Sequence, residues 1–206
     1  MSYVITIGRE FGSGGHEIAE KLSEMLGINY YDKNIIDLAS EKSGINKQMF
    51  ENSDEKHNSF LYSLSMAHYG GLVSQNYLND IITNDKLFLI QSNIIKDIAE
   101  KESCIFVGRC ADYVLNEHPN KLSVFVHASK DSKVKRVMET MKIKESAAET
   151  LIKKTDKSRA AFYNFYSSNA WGAAATYDLC LNTDKFGIEG AAQLIKSYVE
   201  QHMLNK

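Results

Sequence analysis

The sequence predicts an α/β protein in which helices cover both faces of a mostly parallel sheet. Two observations predict this fold. Short runs of β-branched and apolar residues alternate along the chain with longer segments whose apolar residues recur at helical spacing. Proline is almost absent, with only Pro119 in 206 residues, which favours long helices over rigid loops. The chain length suits one domain with an insertion.

Five short apolar runs are predicted to be strands. The first reads YVITI and ends at a glycine, and the others are similarly short and mostly apolar or aromatic. The five lie at residues 3–7, 28–31, 104–107, 122–127 and 179–182. Helices are predicted at residues 16–26, 33–43, 80–100, 112–117, 131–141, 144–161 and 188–203. Ligands bind at the carboxyl ends of parallel strands, so chemistry is expected in the loops that follow them.

Residues 45–100 differ from the rest of the chain. They carry no convincing strand and are rich in polar and aromatic residues, including Phe60, Tyr62, Tyr69 and Tyr77. We interpret this stretch as a helical insert between strands, in a core formed by residues 1–44 and 101–206. The aromatic residues of the insert could serve a homodimer contact.

Composition and charge exclude several function classes. The net charge is −2 and the isoelectric point about 6.3, so no bulk positive field indicates nucleic acid or a membrane surface as a partner. The three cysteines have no CxxC spacing, which argues against a disulfide framework or a structural zinc site. The sequence begins directly with a predicted strand and has no long uninterrupted apolar run, so we expect a cytoplasmic protein.

A glycine-rich segment, GREFGSGGH at residues 8–16, lies between the first predicted strand and the first predicted helix. Glycines let backbone N–H groups turn toward an anion, and the helix start adds further N–H groups and a positive dipole end. The segment therefore predicts a phosphate-binding loop, with a tight turn that holds no ligand as the simpler alternative. The lysine of a Walker loop is missing, because Gly15 stands at its position. Arg9 or His16 could supply the missing charge.

The run ITIGREFGSGGHEIAEKL, with YYDKNIIDLA after it, resembles the cytidylate kinase-like family of P-loop kinases. Three more blocks follow in the order of the family: IFVGRCADYVL, KKTDKSRAAFYNFY and YDLCLNTDKFGIEGA. The resemblance implies an adenylate-kinase-like α/β/α fold with a five-stranded parallel core, in which residues 45–100 bind substrate and about residues 142–172 form a mobile lid. It also implies ATP with Mg²⁺ as phosphoryl donor and CMP or dCMP as acceptor.

The resemblance assigns roles to individual residues. Arg109 would clamp the acceptor phosphate and Asp32 would orient the acceptor, although Cys110 stands where the family has an aspartate. In the lid segment, Arg159 and Asp156 would act on the transferring phosphoryl group. Lys153 stands where the lid often has another arginine and shares that role, and Asn182 and Thr183 would lie near the donor base. The donor phosphates would be held by Arg9, Gly12, Ser13, Gly14, Gly15 and His16, and no residue is assigned to metal.

Two other functions remain open at this stage. The chain could be a degenerate P-loop protein that senses nucleotide without transferring phosphate, which the missing lysine and Cys110 favour. It could also phosphorylate another small acceptor. The cations near residue 156 could equally be a solvated helix face. A dinucleotide-dependent dehydrogenase is disfavoured because Glu17 breaks the required glycine pattern.

Overall fold

The computed structural model of the protein describes residues 2–50 and 75–204, with the backbone alone for residues 75–83. The strands are β1 Val4–Arg9, β2 Asn29–Tyr31, β3 Cys104–Val107, β4 Lys121–His127 and β5 Leu179–Asn182. The helices that bear on the site are α1 Gly15–Leu26, α2 Asn34–Ser43, α3 Gln75–Lys101, α4 Ala111–Val114, α5 Lys130–Met141, α6 Glu145–Tyr166 and α7 Thr183–His202. Four aromatic residues named for the predicted insert lie among the residues whose side chains are not described: Phe60, Tyr62, Tyr69 and Tyr77.

The described strands form one sheet in the order β2-β3-β1-β4-β5, and every neighbouring pair is parallel. Strand β1 lies in the middle and is completely buried from Val4 to Ile7 apart from a trace of exposure at Thr6. A parallel sheet covered on both faces requires such continuous apolar strands. The three-layer α/β/α fold predicted from the sequence is confirmed.

Each face of the sheet has its own core. Helices α1 and α7 cover one face, where Ile18 and Leu22 pack with Ile195 and Val199 against Ile5 and its neighbours. On the other face, α3 and α4 pack against Phe106 of β3. The order of the strands brings the ends of β1 and β3 side by side between these layers. The loops after these two strands therefore meet.

Some element boundaries differ from the prediction for local reasons. Helix α7 begins at Thr183, whereas its apolar pattern begins at residue 188, because Gly187 interrupts the helix with a φ of 64°. The Asn182 side chain accepts a hydrogen bond from the Asp184 N–H and so caps the early start. Helix α6 runs on to Tyr166 as one continuous helix. Within the described residues, every helix is too short or too polar to cross a bilayer.

Candidate active site

A cleft of about 540 Å³ opens at the carboxyl ends of β1 and β3. Its position agrees with the rule that parallel α/β sheets bind ligands at this edge. Five cations and two carboxylates lie along it, together with an apolar and aromatic wall. The charged residues are Arg9, Lys33, Arg109, Lys154 and Arg159 with Asp32 and Asp112, and the wall includes Phe11, Ile36, Phe162, Trp171 and Tyr177.

The turn after β3 has an unusual backbone. Gly108, Arg109 and Cys110 have φ values of 75°, 58° and 53°, so three successive residues are left-handed. This conformation costs a non-glycine residue roughly 1–2 kcal/mol, and such strain is concentrated at functional sites. Gly108 also leaves room for the side chain of Arg9, because a Cβ atom at position 108 would collide with Arg9 Nη1. The turn thus places Arg109 in the cleft, one residue after the glycine that packs against the Arg9 guanidinium.

Asp32 connects the two loops that follow β1 and β2. Its Oδ1 atom accepts a hydrogen bond from Arg9 Nη2 at 3.2 Å, and its Oδ2 atom lies 3.0 Å from His16 Nδ1. The His16 side chain is 52% exposed, and its ring meets Tyr30 edge-on. Arg9 and His16 are therefore held next to each other by one carboxylate.

Arg159 reaches from α6 to the loop after β1. Its Nη1 atom donates to the Arg9 carbonyl oxygen at 3.1 Å, and its guanidinium carbon lies 5.5 Å from the centre of the Phe11 ring. A guanidinium can stack on an aromatic ring while its remaining N–H groups stay available for an anion. Arg159 is therefore anchored at one edge of the cleft and faces the same space as Arg109.

The inner wall of the cleft combines aromatic rings with a buried carboxyl group. Tyr163 donates its O–H to Asp112 Oδ2 at 2.6 Å, and both residues line the cleft. Burial raises the pKa of Asp112 above its ordinary value, an effect that the Tyr163 hydrogen bond opposes. Burial likewise raises the pKa of Tyr163 and of Tyr177. This wall offers hydrogen-bonding groups in an otherwise apolar setting, as a site for a planar polar ring would.

The glycine loop is packed from outside by other elements. A Cβ atom at Gly12 would come within 2.9 Å of Val137, and one at Gly14 would collide with Ile188. Ser13 is fully buried, and its carbonyl oxygen accepts a hydrogen bond from the Thr183 hydroxyl at 2.8 Å. None of the loop residues from 12 to 15 lines the cleft. Helices α5 and α7 thus hold the loop against the sheet.

A buried ion cluster lies beside the same loop. Lys133 Nζ is 3.0 Å from Glu10 Oε2 and 3.3 Å from Asp156 Oδ2. The other oxygen of Asp156, Oδ1, accepts a hydrogen bond from the Phe11 N–H at 2.6 Å. Burial raises the pKa of Asp156, while the Phe11 N–H and Lys133 act in the opposite direction. A loop amide is therefore already bound to an anion that the protein itself supplies.

The predicted site residues fall into three groups. Arg9, Asp32, Arg109 and Arg159 line the one cleft. The glycine loop, His16 and Asp156 lie at its border, where His16 contacts Asp32 and Asp156 contacts Phe11. The remaining three lie elsewhere: Lys153 is exposed, Asn182 caps α7 and Thr183 fastens the loop.

Helical geometry explains the position of Lys153. The residues of α6 that line the cleft follow helical spacing, and they are Leu151, Lys154, Thr155, Ser158, Arg159, Phe162 and Tyr163. Lys153 falls on a different face, because each residue of a helix turns by about 100°. Lys154 was missed by the sequence analysis, although the spacing of apolar and cationic residues along the helix was a signal that could have identified it. Other residues missed from the sequence are Glu10, Lys133 and Asp112, which only distant contacts bring to the site.

Comparison with known proteins identifies the family and the fold of the chain. The sequence profile of the cytidylate kinase-like family matches residues 4–185. A solved but uncharacterized protein from Eubacterium ventriosum is 32% identical, with a TM-score of 0.72, and the match covers 97% of this chain and 99% of that one. A search of curated proteins finds no match.

Shikimate kinases share the fold at low sequence identity. The enzyme from Bacteroides thetaiotaomicron is 13% identical with a TM-score of 0.53, over 96% of this chain and 98% of that one. The enzyme from Acinetobacter baumannii, solved with shikimate, is 11% identical with a TM-score of 0.53, over 99% of this chain and 96% of that one. These two structures show that the chain has the fold of P-loop kinases.

Proposed function

The chain belongs to the cytidylate kinase-like family, and from that premise we propose that it transfers a phosphoryl group from ATP to a nucleoside monophosphate, CMP or dCMP first. The observation that carries the proposal is the meeting of Arg9, Arg109 and Arg159 in one cleft beside the glycine loop. Phosphoryl transfer needs two anions aligned and their charge neutralised, with little covalent help from the protein. Three guanidinium groups around one space supply that neutralisation.

The acceptor half of the reaction is supported by the shape of the cleft. Arg109 would bind the acceptor phosphate with its fork of N–H donors, at the strained turn that holds it in place. Asp112 and Tyr163 would hydrogen-bond the base, and the rings of Phe162 and Trp171 would pack against it. Asp32 would act indirectly, since one of its oxygens contacts Arg9 and the other contacts His16.

The donor half requires ATP and Mg²⁺. Glu10 and Asp156 place two carboxylates beside the loop, and Mg²⁺ in such sites takes one or two carboxylates together with phosphate oxygens. Both carboxylates already contact Lys133, and within the described residues no group of three metal-binding side chains lies together, so the ion would be held mainly by the phosphate oxygens, whose charge it would neutralise. Arg159 would act on the transferring group, because it spans the distance between loop and cleft. A cytoplasmic location and the homodimer remain predictions.

A second candidate function is nucleotide binding without transfer. The covered glycine loop and the absent lysine favour it, since the described loop residues from 12 to 15 lie outside the cleft. A third candidate is a kinase for another small phosphorylated or hydroxylated acceptor. The fold shared with shikimate kinases makes shikimate a sensible member of the test panel.

A coupled ADP-release assay tests the proposal. The purified chain is given MgATP with CMP, dCMP, UMP, AMP, GMP and shikimate, and each rate is compared with ATP hydrolysis alone. Faster ADP release with CMP or dCMP than with the other acceptors supports the proposal. Release that is stimulated only by a different acceptor would replace the substrate, and no stimulation by any acceptor despite ATP binding would favour the sensor.

A further inference from the structure

A lysine from another helix lies where the glycine loop lacks one. Lys133 belongs to α5, and its side chain is only 11% exposed. Its ammonium group contacts Glu10 of the glycine-rich segment and Asp156 of α6. A lysine is rarely buried without opposite charges, so this placement is a built feature of the site rather than a surface accident.

The Asp156 carboxylate is bound in the way that a phosphate would be bound there. One oxygen accepts from the Phe11 N–H and the other accepts from Lys133 Nζ. Phosphate-binding loops use the same two donor types, a backbone amide and a lysine, on one anion. The carboxylate thus marks a position at which the loop amide and Lys133 converge on a single negative group.

The backbone around Lys133 is fitted to the loop. A Cβ atom at Gly12 would come within 3.0 Å of the Lys133 carbonyl oxygen and 3.3 Å of its Cα atom. Glycine at position 12 therefore allows α5 to approach the loop this closely. One turn further on, Arg136 donates to the Gly12 carbonyl oxygen at 2.5 Å and fixes the same contact. The Cα atom of Lys133 is thereby held beside the loop whichever anion its side chain binds.

We propose that Lys133 supplies to the donor phosphates the positive charge that a lysine within the loop supplies in a Walker motif, and that it exchanges Asp156 for a phosphate oxygen when nucleotide binds. This inference rests on the proposed function and deepens its donor half. It accounts for a loop that keeps its glycines but not its lysine. It also gives Asp156 a defined part, as the resting anion that the nucleotide displaces.

Binding measurements on the full chain test the assignment without relying on turnover. Calorimetric titration with MgATP, and separately with metal-free sodium tripolyphosphate, compares the wild type with Lys133→Met and Lys133→Arg. We expect Lys133→Met to weaken both ligands by about tenfold or more, because it removes one charge-assisted contact. Lys133→Arg should recover part of the loss. The matched control is Lys135→Met, an exposed lysine on the same helix, which should bind both ligands as the wild type does.

Asp156→Asn should strengthen the binding of tripolyphosphate, whereas Lys133→Met should weaken it. It removes the competing negative charge and leaves a carbonyl oxygen for the Phe11 N–H, so tripolyphosphate should bind several-fold more tightly. A purely structural role of the cluster predicts weaker binding from this variant as well. Weaker binding by Asp156→Asn would therefore overturn the proposal.

A separate control for misfolding is needed, because Lys133→Met leaves two carboxylates without their cation. The double variant Lys133→Met with Glu10→Gln removes one of those charges, and thermal unfolding shows which variants are folded. A folded variant without Lys133 that binds tripolyphosphate as Lys135→Met does overturns the inference alone. Wild-type protein that binds neither ligand overturns the inference and the proposed function together. Binding that depends on Lys133, without transfer to any acceptor, supports the inference and overturns the proposed function.

Discussion

The cleft and the glycine loop lie side by side but are built differently. The cleft is open and lined by cations, with Arg109 held there by a strained turn. The loop is covered by Val137 and Ile188, and the Phe11 amide is bound to Asp156. The cleft is ready to receive an anion, whereas the loop must first release one that belongs to the protein.

This difference indicates which of the two regions must rearrange before it binds a ligand. A preformed cleft binds its ligand without large rearrangement, but a loop closed by an internal carboxylate binds only a ligand that competes with that carboxylate. A triphosphate carries more charge and more acceptor oxygens than Asp156 does. Donor binding is then coupled to α5 and α6, the two helices that supply Lys133 and Asp156.

Arg159 joins the two regions, so its removal should have the largest effect. We expect Arg159→Ala to lower kcat by roughly 10³-fold or more, the range for an arginine that acts on a phosphoryl transition state, with little change in the acceptor KM. Steady-state kinetics with MgATP and the best acceptor measure both constants. Lys96→Ala, at an exposed site on α3, serves as control. A rise in KM without a fall in kcat would assign Arg159 to binding only.

Gly108→Ala tests whether the strained turn positions the cations of the cleft. The new Cβ atom would displace the Arg9 guanidinium from Asp32, and misplacement of this kind can cost about a hundredfold in rate. Gly27→Ala is the matched control, because it also has a left-handed φ, of 65°, but open space around the Cβ position. Both variants should lose about 1–2 kcal/mol of stability. Equal activities of the two folded variants would contradict the role of the turn.

Arg109→Met separates acceptor binding from catalysis. The methionine keeps much of the side-chain volume and removes the charge, so the acceptor KM should rise by about ten- to a hundredfold. The KM for ATP should change far less, because residues 12–15 of the loop lie outside the cleft. Kinetics at varied acceptor and fixed MgATP measure the first value, and the reverse experiment measures the second. Parallel rises in both values would show that the two regions are not independent.

Lys154→Ala and Lys153→Ala together test which lysine of α6 acts at the site: the one that lines the cleft, or the one that the sequence resemblance assigned. Lys154 lines the cleft, whereas Lys153 is exposed on another face of α6. Both side chains reach solvent, so the loss from Lys154→Ala should be no more than about fivefold in kcat/KM. Lys153→Ala should be close to wild type. A larger loss for Lys153→Ala would restore the assignment made from the sequence resemblance.

Asp112→Asn has an expected effect on stability that is measured separately from its effect on binding of the base. Burial raises the pKa of Asp112 above 3.8, so the folded state binds its proton more tightly than the unfolded state does. The stabilisation from this proton is complete below that ordinary value and is lost as the pH rises through the raised one. The variant does not ionise and should gain stability relative to the wild type as pH rises from about 4 to about 7.

Urea unfolding midpoints of the two proteins across this range measure the trend. Glu117→Gln, at an exposed position, provides the comparison at a site that folding does not bury. A difference between Asp112→Asn and wild type that is constant with pH would show that the folded state does not favour the protonated carboxyl group.

The sequence by itself determined the sheet, the position of the glycine loop and the presence of an arginine at the end of β3. These features depend on local patterns: the β-branched run at residues 3–7, the glycines that follow it, and Gly108 at a strand end. Where local pattern and local structure agree, sequence reasoning succeeds. Arg159 was named from the family resemblance rather than from a local pattern, and its contact with the Arg9 carbonyl lay beyond prediction.

Only the tertiary structure decided which charges reach the site and in what state the loop is held. Lys133 meets Glu10 across 123 positions of sequence, and Asp156 meets the Phe11 amide across 145. No spacing rule reports such contacts, because they depend on how α5 and α6 pack over the sheet. The choice of Lys154 over Lys153 likewise depends on the rotation of α6 about its axis, which packing fixes. Local propensity sets the elements, and packing between distant elements sets the electrostatics of the site.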